Sequence, residues 1–386
     1  MRQVRVRLGA REGYDIQIGA GALGRLGATA RGVLSARARR VVIVSNARVF
    51  KLYGDRALAS LRAAGYTVEP WLFGEGERHK TLRTAERALD FFTGCGLERT
   101  DAVVALGGGV VGDLAGFAAA LYLRGIDFIQ VPTTLLAQID ASVGGKTGVN
   151  TRAGKNLTGA FHQPRAVLID TQTLRTLPPR ELTAGFCEAV KHGAVGGRAL
   201  FARTRGFLAA RPGEGRARLG DDDEGGDALA RLIAEHCAFK ARIVAGDERE
   251  SVERADSRSR RVLNFGHTVG HALEAVTGYR RFRHGEAVGH GMAVAAEISN
   301  RLGLLDGSGL ISLREVIALA GPLPRADDLD PAEILRAAAS DKKSAGGEIN
   351  WVLLEEVGRA RVVAGREVPQ RVLRASLKAG LERRRP

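Results

Sequence analysis

Apolar and polar positions in the first half of the chain switch repeatedly between two periods. Residues 39–46 (RRVVIVSN) form a buried-strand run, 52–65 (LYGDRALASLRAAG) carry apolar residues at helical spacing and close on Gly65, and 66–73 (YTVEPWLF) return to strand pattern. A helix at about 81–93 precedes DAVVALGGG at 101–109, a strand that runs into glycines. FIQVPTT (128–134) and AVLIDT (166–171) read as further strands. Strands alternating with helices through short connections predict a mostly parallel sheet covered by helices on both faces. The opening MRQVRVRLGAREGYDIQI alternates residue by residue and offers antiparallel strands for an edge of that sheet.

From 177 onward the period becomes helical. LPPRELTAGFCEAVKHGAV, ALARLIAEHCAFKARIVAGD, HTVGHALEAVTG, GEAVGHGMAVAAEISNRLG and PAEILRAAASDKK all space their apolar residues by three and four. The change places a domain boundary near 175, with an α/β domain at 1–175 and an all-α domain at 176–386. The polar, glycine-rich stretch 211–227 reads as a loop remote from chemistry.

Composition narrows the class. No stretch is long and apolar enough to cross a bilayer, and the N-terminus lacks the apolar core of a signal peptide. Three cysteines without a CxxC pair argue against a disulfide framework and for a reduced, cytoplasmic setting. The net charge of +15 raises nucleic acid as a partner, but no RNA- or DNA-binding motif accompanies it. A solvated basic surface that attracts anionic substrates fits better. Only nine of the 58 basic residues are lysine, yet Lys80, Lys146, Lys155, Lys191, Lys240, Lys342 and Lys343 fall in or beside the motifs below. Lysine is a compact charge with an adjustable pKa, which arginine cannot imitate.

GGGVVGDLAGF (107–117) follows a strand and opens a helix, where glycines let the backbone approach a pyrophosphate and the helix N-terminus offers free N–H groups. The spacing is not GxGxxG, and a tight structural turn explains it as well. GEGERHK (74–80) and the pair Thr133 and Thr134 lie at carboxyl ends of parallel strands, where ligands collect. There Glu77 can accept from ribose hydroxyls and Lys80 can donate, although a solvated loop explains each residue taken singly. DASVGGKTGVNTRAGKNLTGAFHQP (140–164) packs lysines, an asparagine, hydroxyls and glycines into one segment without the apolar content for an element of its own. That chemistry suits phosphate or a polyhydroxylated ligand, but the GxxxxGK[ST] spacing of a P-loop fails.

His267 and His271 in LNFGHTVGHALE are four apart and project from one helical face. His284 opens a further helix, and Glu188 lies in GFCEAVKHG. Three N/O ligands and an open position make a catalytic zinc site, and HTVGH lacks the glutamate of HExxH, so a metalloprotease is not indicated. Spacing leaves open which three of the four groups ligate.

Taken together, LGGGVVGDLAGFAAALYLRGIDFIQVPTTLL, DASVGGKTGVN, GKNLTGAFHQP, TLPPREL and LNFGHTVGHALE resemble the 3-dehydroquinate synthase family. The similarity runs from about Glu75 to Lys343. The resemblance implies a cytoplasmic homodimer, with NAD on a Rossmann-like α/β N-terminal domain and zinc or cobalt in an all-α C-terminal metal-binding domain. It implies Glu188, His267 and His284 as metal ligands. It surrounds the substrate phosphate with His271, Lys146, Asn156, Arg260 (with Arg261 beside it), Lys342 (with Lys343 beside it) and Arg124 of the partner subunit, and gives the rest of the substrate to Asp140, Lys191, Lys240 and Asn264. NAD falls to Asn46, to Glu75, Gly76, Glu77, Arg78, His79 and Lys80, and to Gly108, Gly109, Val110, Val111, Gly112 and Asp113. Thr133, Thr134, Lys146, Lys155, Thr173, Leu174, Arg175 and Thr176 complete that set.

The implied substrate is 3-deoxy-arabino-heptulosonate 7-phosphate, a small sugar acid phosphate of the shikimate route to aromatic amino acids. The implied reaction oxidises a hydroxyl transiently with NAD, eliminates phosphate, reduces the ketone again and closes a carbocycle by an intramolecular aldol step. Two alternatives share these parts. One is a sister cyclase acting on sedoheptulose 7-phosphate or an amino analogue. The other is an NAD- and metal-dependent polyol dehydrogenase, which would need no phosphate-directed lysines.

Overall fold

The computed structural model describes the chain apart from residues 10–11, 153, 212–222, 252–253, 255–258, 344–348 and 383–386, and gives only the backbone of 12, 223–225 and 341–343. It divides into two compact units, Met1–Leu177 with Arg218–Ala245, and Pro178–Ala217 with Gly246–Pro386. No helix among the described residues is long and apolar enough to cross a membrane.

In chain order the first unit contains β1 (Arg2–Leu8), β2 (Glu12–Gly19), α1 (Leu26–Val33), β3 (Arg40–Asn46), α2 (Ala47–Ala63), β4 (Thr67–Phe73), α3 (Leu82–Gly94), β5 (Ala102–Gly107), α4 (Gly109–Leu121), β6 (Asp127–Pro132), β7 (Lys146–Thr151), β8 (Gly154–Phe161) and β9 (Ala166–Asp170). Among the described residues seven strands form one sheet in the order β1-β2-β9-β6-β5-β3-β4. Every pairing is parallel except β1 with β2, so the N-terminal alternating segment adds an antiparallel edge. Both faces are covered. Val41 and Ile43 of β3 join the cluster that holds Leu26 and Leu61, whereas Val42 and Val44 join the one that holds Phe92 and Leu114. That two-sided burial is why the strands read as unbroken apolar runs.

The order of strands places a topological switch between β3 and β5, because the chain leaves β3 toward β4 and then returns to the other side. Glycine allows α4 to sit close to the sheet there. A Cβ on Gly112 would lie 2.6 Å from Gln130 Oε1, and one on Gly116 3.1 Å from Phe128 Cε2, both residues of β6.

Residues 140–164 differ from the sequence expectation. They do build an element of their own, the antiparallel hairpin of β7 and β8. Its ladder is made by main-chain groups and by Thr147 Oγ1 donating to Ala160 O at 2.8 Å, and Val149 buries fully in the first-unit core. Apolar content was therefore the wrong criterion for a glycine-rich ribbon.

The second unit holds α5 (Pro179–Gly196) and α6 (Arg198–Ala209). The next helix, α7 (Asp223–Gly246), belongs up to Ala245 with the first unit and begins inside the stretch 211–227 expected as loop. Cys237 Sγ on α7 donates to Gln138 O at 3.2 Å, and Lys240 Nζ donates to Asp140 O at 2.6 Å. Apolar spacing identified α7 as a helix but carried no information on its packing partner, so the span 176–386 is not one body. The second unit resumes with α8 (His267–Val276), α9 (His284–Arg301), α10 (Gly307–Ala320), α11 (Pro331–Lys343), β10 (Asn350–Glu356), β11 (Arg359–Ala364) and α12 (Gln370–Leu381). The helical unit thus also carries one hairpin, β10 with β11. Glycine again sets the spacing. A Cβ on Gly285 would fall 2.0 Å from Ala184 O and one on Gly291 1.9 Å from Gly266 O, so α9 touches α5 and the start of α8 backbone to backbone.

Candidate active site

In the first unit the sequence-selected residues gather at the carboxyl ends of the strands. Asn46 ends β3 and caps α2, its Oδ1 accepting from Val49 N at 3.0 Å. Glu75 and Gly76 follow β4, and Glu77, Arg78 and His79 form a short 3-10 turn. Gly108 caps the N-terminus of α4 and has no side chain to occupy its free N–H groups. That leaves them for an anion, at the positive end of the helix dipole. Gly109, Val110, Val111 and Gly112 form the first turn, in which Val111 N and Gly112 N already donate to Gly108 O at 3.0 and 3.1 Å. Thr133 is buried, and its N donates to Gly107 O at 3.0 Å; Thr134 Oγ1 accepts from Ala137 N at 3.2 Å.

A buried charge network backs this crevice. Lys80 is 3 % exposed, and its Nζ lies 2.6 Å from Asp113 Oδ2 and 3.7 Å from Glu77 Oε1. Burial alone would lower the Lys80 pKa, but the Asp113 and Glu77 carboxylates outweigh it and hold the ammonium above the ordinary lysine value. After β9, Asp170 accepts from Gly21 N, Leu23 N and Gln172 N at 2.9–3.0 Å and fixes the segment Thr171–Thr176. Thr173 Oγ1 donates to Asp170 O at 2.7 Å, Leu174 is buried, Arg175 is exposed, and Thr176 meets the Tyr53 hydroxyl.

The cations expected around a phosphate divide between the units. Lys146 is exposed at the start of β7, Lys155 is half-buried on β8, and Asn156 is exposed with φ +56°. Asp140 and Lys240 form an ion pair. Arg124 is exposed within a left-handed run, Leu123 φ +50° and Arg124 φ +70°. In the second unit Arg260 is buried, its Nη1 donating to Glu248 O at 2.6 Å and its N to Asp247 Oδ2 at 2.9 Å, while Arg261 is half-buried. Asn264 Nδ2 donates to Glu250 Oε1 at 3.1 Å. Lys342 lies on α11, and its side chain is outside the described residues, as is that of Lys343.

The second unit also assembles the histidines. Side-chain nitrogens of His267, His271 and His284 all lie within 4.8 Å of one another. Glu188, 1 % exposed on α5, faces two of them: its Oε1 is 3.9 Å from His267 Nε2 and 3.6 Å from His284 Nε2. Those separations are too long for hydrogen bonds and short enough for the atoms to share a cation. Lys191 Nζ is 2.6 Å from Glu188 Oε2 as an ion pair, yet neither carboxylate oxygen receives an aligned hydrogen bond among the described residues. A buried carboxylate in that state fits a metal.

The ring tautomers agree with the fit. His284 Nδ1 is 3.0 Å from Glu274 Oε2, and His267 Nδ1 is 3.2 Å from Phe265 O, so in both rings Nδ1 carries the proton and Nε2 keeps the lone pair. Burial, with the Lys191 ammonium and the rings of His284 and His271, holds His267 well below the ordinary histidine value. It is neutral, the form that ligates. Glu274 was not singled out from sequence, although it stands inside the HALE motif. Nor was the clamp on α9: Arg180 Nε donates to Glu286 Oε1 at 2.8 Å, and Arg283 N donates to Glu286 Oε2 at 2.8 Å, which pins the turn that carries His284.

Comparison with known proteins completes the picture. The family description "3-dehydroquinate synthase N-terminal" matches residues 71–184 and "3-dehydroquinate synthase C-terminal" matches 185–344. A 3-dehydroquinate synthase from Pelotomaculum thermopropionicum is 46 % identical over 366 residues, covering 95 % of this chain and 94 % of the relative. The fold superimposes on 2-deoxy-scyllo-inosose synthase complexed with carbaglucose-6-phosphate, NAD+ and Co2+ with a TM-score of 0.82 and 25 % identity, covering 98 % of this chain and 100 % of that one. It superimposes on 2-epi-5-epi-valiolone synthase from Streptomyces hygroscopicus, with NAD+ and Zn2+ bound, with a TM-score of 0.81 and 28 % identity, covering 97 % and 98 %.

Proposed function

The chain belongs to the 3-dehydroquinate synthase family, and on that footing we propose how its own residues carry the family's lyase reaction. The substrate is 3-deoxy-arabino-heptulosonate 7-phosphate, and the products are 3-dehydroquinate and phosphate. When bound, the metal supplies Lewis acidity at a substrate oxygen and NAD takes up and returns a hydride within one turnover.

Glu188, His267 and His284 hold the metal, with Glu274 and Phe265 O orienting the two rings. Lys191, already against Glu188, donates to the part of the substrate away from the phosphate. The free N–H groups of the first α4 turn receive the pyrophosphate, and Glu77, Lys80, Asp113 and the strand-end threonines hold the rest of the dinucleotide. Lys146, Asn156, His271 and the arginine pair 260–261 neutralise the leaving phosphate, whose charge grows as the carbon–oxygen bond breaks. Lys240, with Asp140, serves the sugar acid end. Arg124 of the partner subunit completes the phosphate shell in a cytoplasmic homodimer.

The observation that carries this reading is the buried Glu188 carboxylate facing the Nε2 atoms of His267 and His284 without an aligned donor among the described residues. Chelation should abolish phosphate release and added zinc or cobalt should restore it; full activity in metal-free protein would refute the assignment.

A further inference from the structure

Asn150, near the end of β7, joins two segments that serve different ligands in the reading above. Its Nδ2 donates to Glu77 Oε1 at 2.8 Å, and its Oδ1 accepts from Asn156 N at 3.0 Å. Its own backbone N donates to Lys80 O at 2.8 Å. The two side-chain bonds determine the amide's orientation, because a flipped amide would set oxygen against a carboxylate and NH2 against an N–H.

Each bond acts on a residue with something to hold. Glu77 Oε1 faces Lys80 Nζ at 3.7 Å, so the amide fixes the carboxylate that shares this buried lysine with Asp113. Asn156 adopts φ +56°, a left-handed conformation uncommon outside glycine, and its N–H points at Asn150. The backbone bond to Lys80 O then ties the cofactor loop to the hairpin.

We propose that Asn150 is a positioning residue that sets the Glu77–Lys80 loop and the Asn156 turn together, so that one amide aligns dinucleotide-binding and phosphate-binding groups. The proposal rests on the roles given above to Glu77, Lys80 and Asn156.

Asn150→Asp keeps the acceptor for Asn156 N but loses both donors and places a like charge beside Glu77. Calorimetric titration of NAD+ into the metal-loaded variant without substrate should show binding weakened about 10-fold, the effect of leaving the competent loop arrangement about one-tenth populated. The substrate KM should change less than that. Asn150→Ala removes both bonds and should weaken NAD+ binding and raise KM together. Combining Asn150→Asp with Glu77→Gln restores a donor–acceptor pair of reversed sense, and NAD+ affinity should recover beyond the sum of the single effects. A scaffold role would lower the melting temperature without that recovery. If Glu77→Ala and Lys80→Met leave NAD+ affinity unchanged, the dinucleotide assignment fails and this proposal with it. If they weaken binding while Asn150→Asp and Asn150→Ala both bind NAD+ like wild type, the proposal alone is overturned.

Discussion

Glu274 Oε2 lies 3.0 Å from His284 Nδ1, which commits the other ring nitrogen, Nε2, to face Glu188. A carboxylate behind a ligating imidazole fixes its tautomer and raises its basicity. Glu274→Gln should therefore weaken zinc binding about 10-fold and Glu274→Ala up to about 100-fold, the range for such partners. Competition against a chromophoric chelator measures this directly. Affinity equal to wild type in both variants would remove Glu274 from the metal site.

Three histidines converge, and the Nε2 atoms of His267 and His284 lie 3.9 and 3.6 Å from Glu188 Oε1. His267→Ala should lower bound metal to near zero by elemental analysis. His271→Ala should retain metal and lose turnover, since His271 is the exposed member and is assigned to phosphate. Loss of metal in His271→Ala would reverse that division.

Arg180 pairs with Glu286, which is fully buried at the start of α9. Arg180→Met would strand that carboxylate and should cost about 2–3 kcal/mol in urea unfolding, less than for a wholly buried pair because Arg180 is half exposed. Glu286→Gln, which keeps an acceptor for Arg283 N, should cost less.

Much of this was legible in the chain. Period-2 and apolar runs marked the strands β3 to β6 and β9, the glycines after β5 marked the turn into α4, and His267, His271, His284 and Glu188, singled out along the sequence, lie together in the fold. What was not legible depends on how segments fold against one another. Asn150 meets Glu77 only when β7 lies beside the Lys80 loop and meets Asn156 once the β7–β8 hairpin forms, and Glu274 meets His284 only once α8 and α9 pack. The β7–β8 ribbon escaped because main-chain bonds build it, and α7 was placed with the wrong unit because an apolar stripe does not name its partner.

Turnover of two substrates tests the central claim most directly. The sugar acid carries a carboxylate that sedoheptulose 7-phosphate lacks, and Lys240, paired with Asp140, is the cation assigned to that end. Inorganic phosphate released by metal-loaded protein with a trace of NAD should appear from 3-deoxy-arabino-heptulosonate 7-phosphate and not from sedoheptulose 7-phosphate, in large excess over NAD and without build-up of NADH. Lys240→Met should lower the rate on the acid roughly 10- to 100-fold, the worth of one charge-assisted bond. Comparable phosphate release from both substrates, or NADH formed in step with product, would contradict the account.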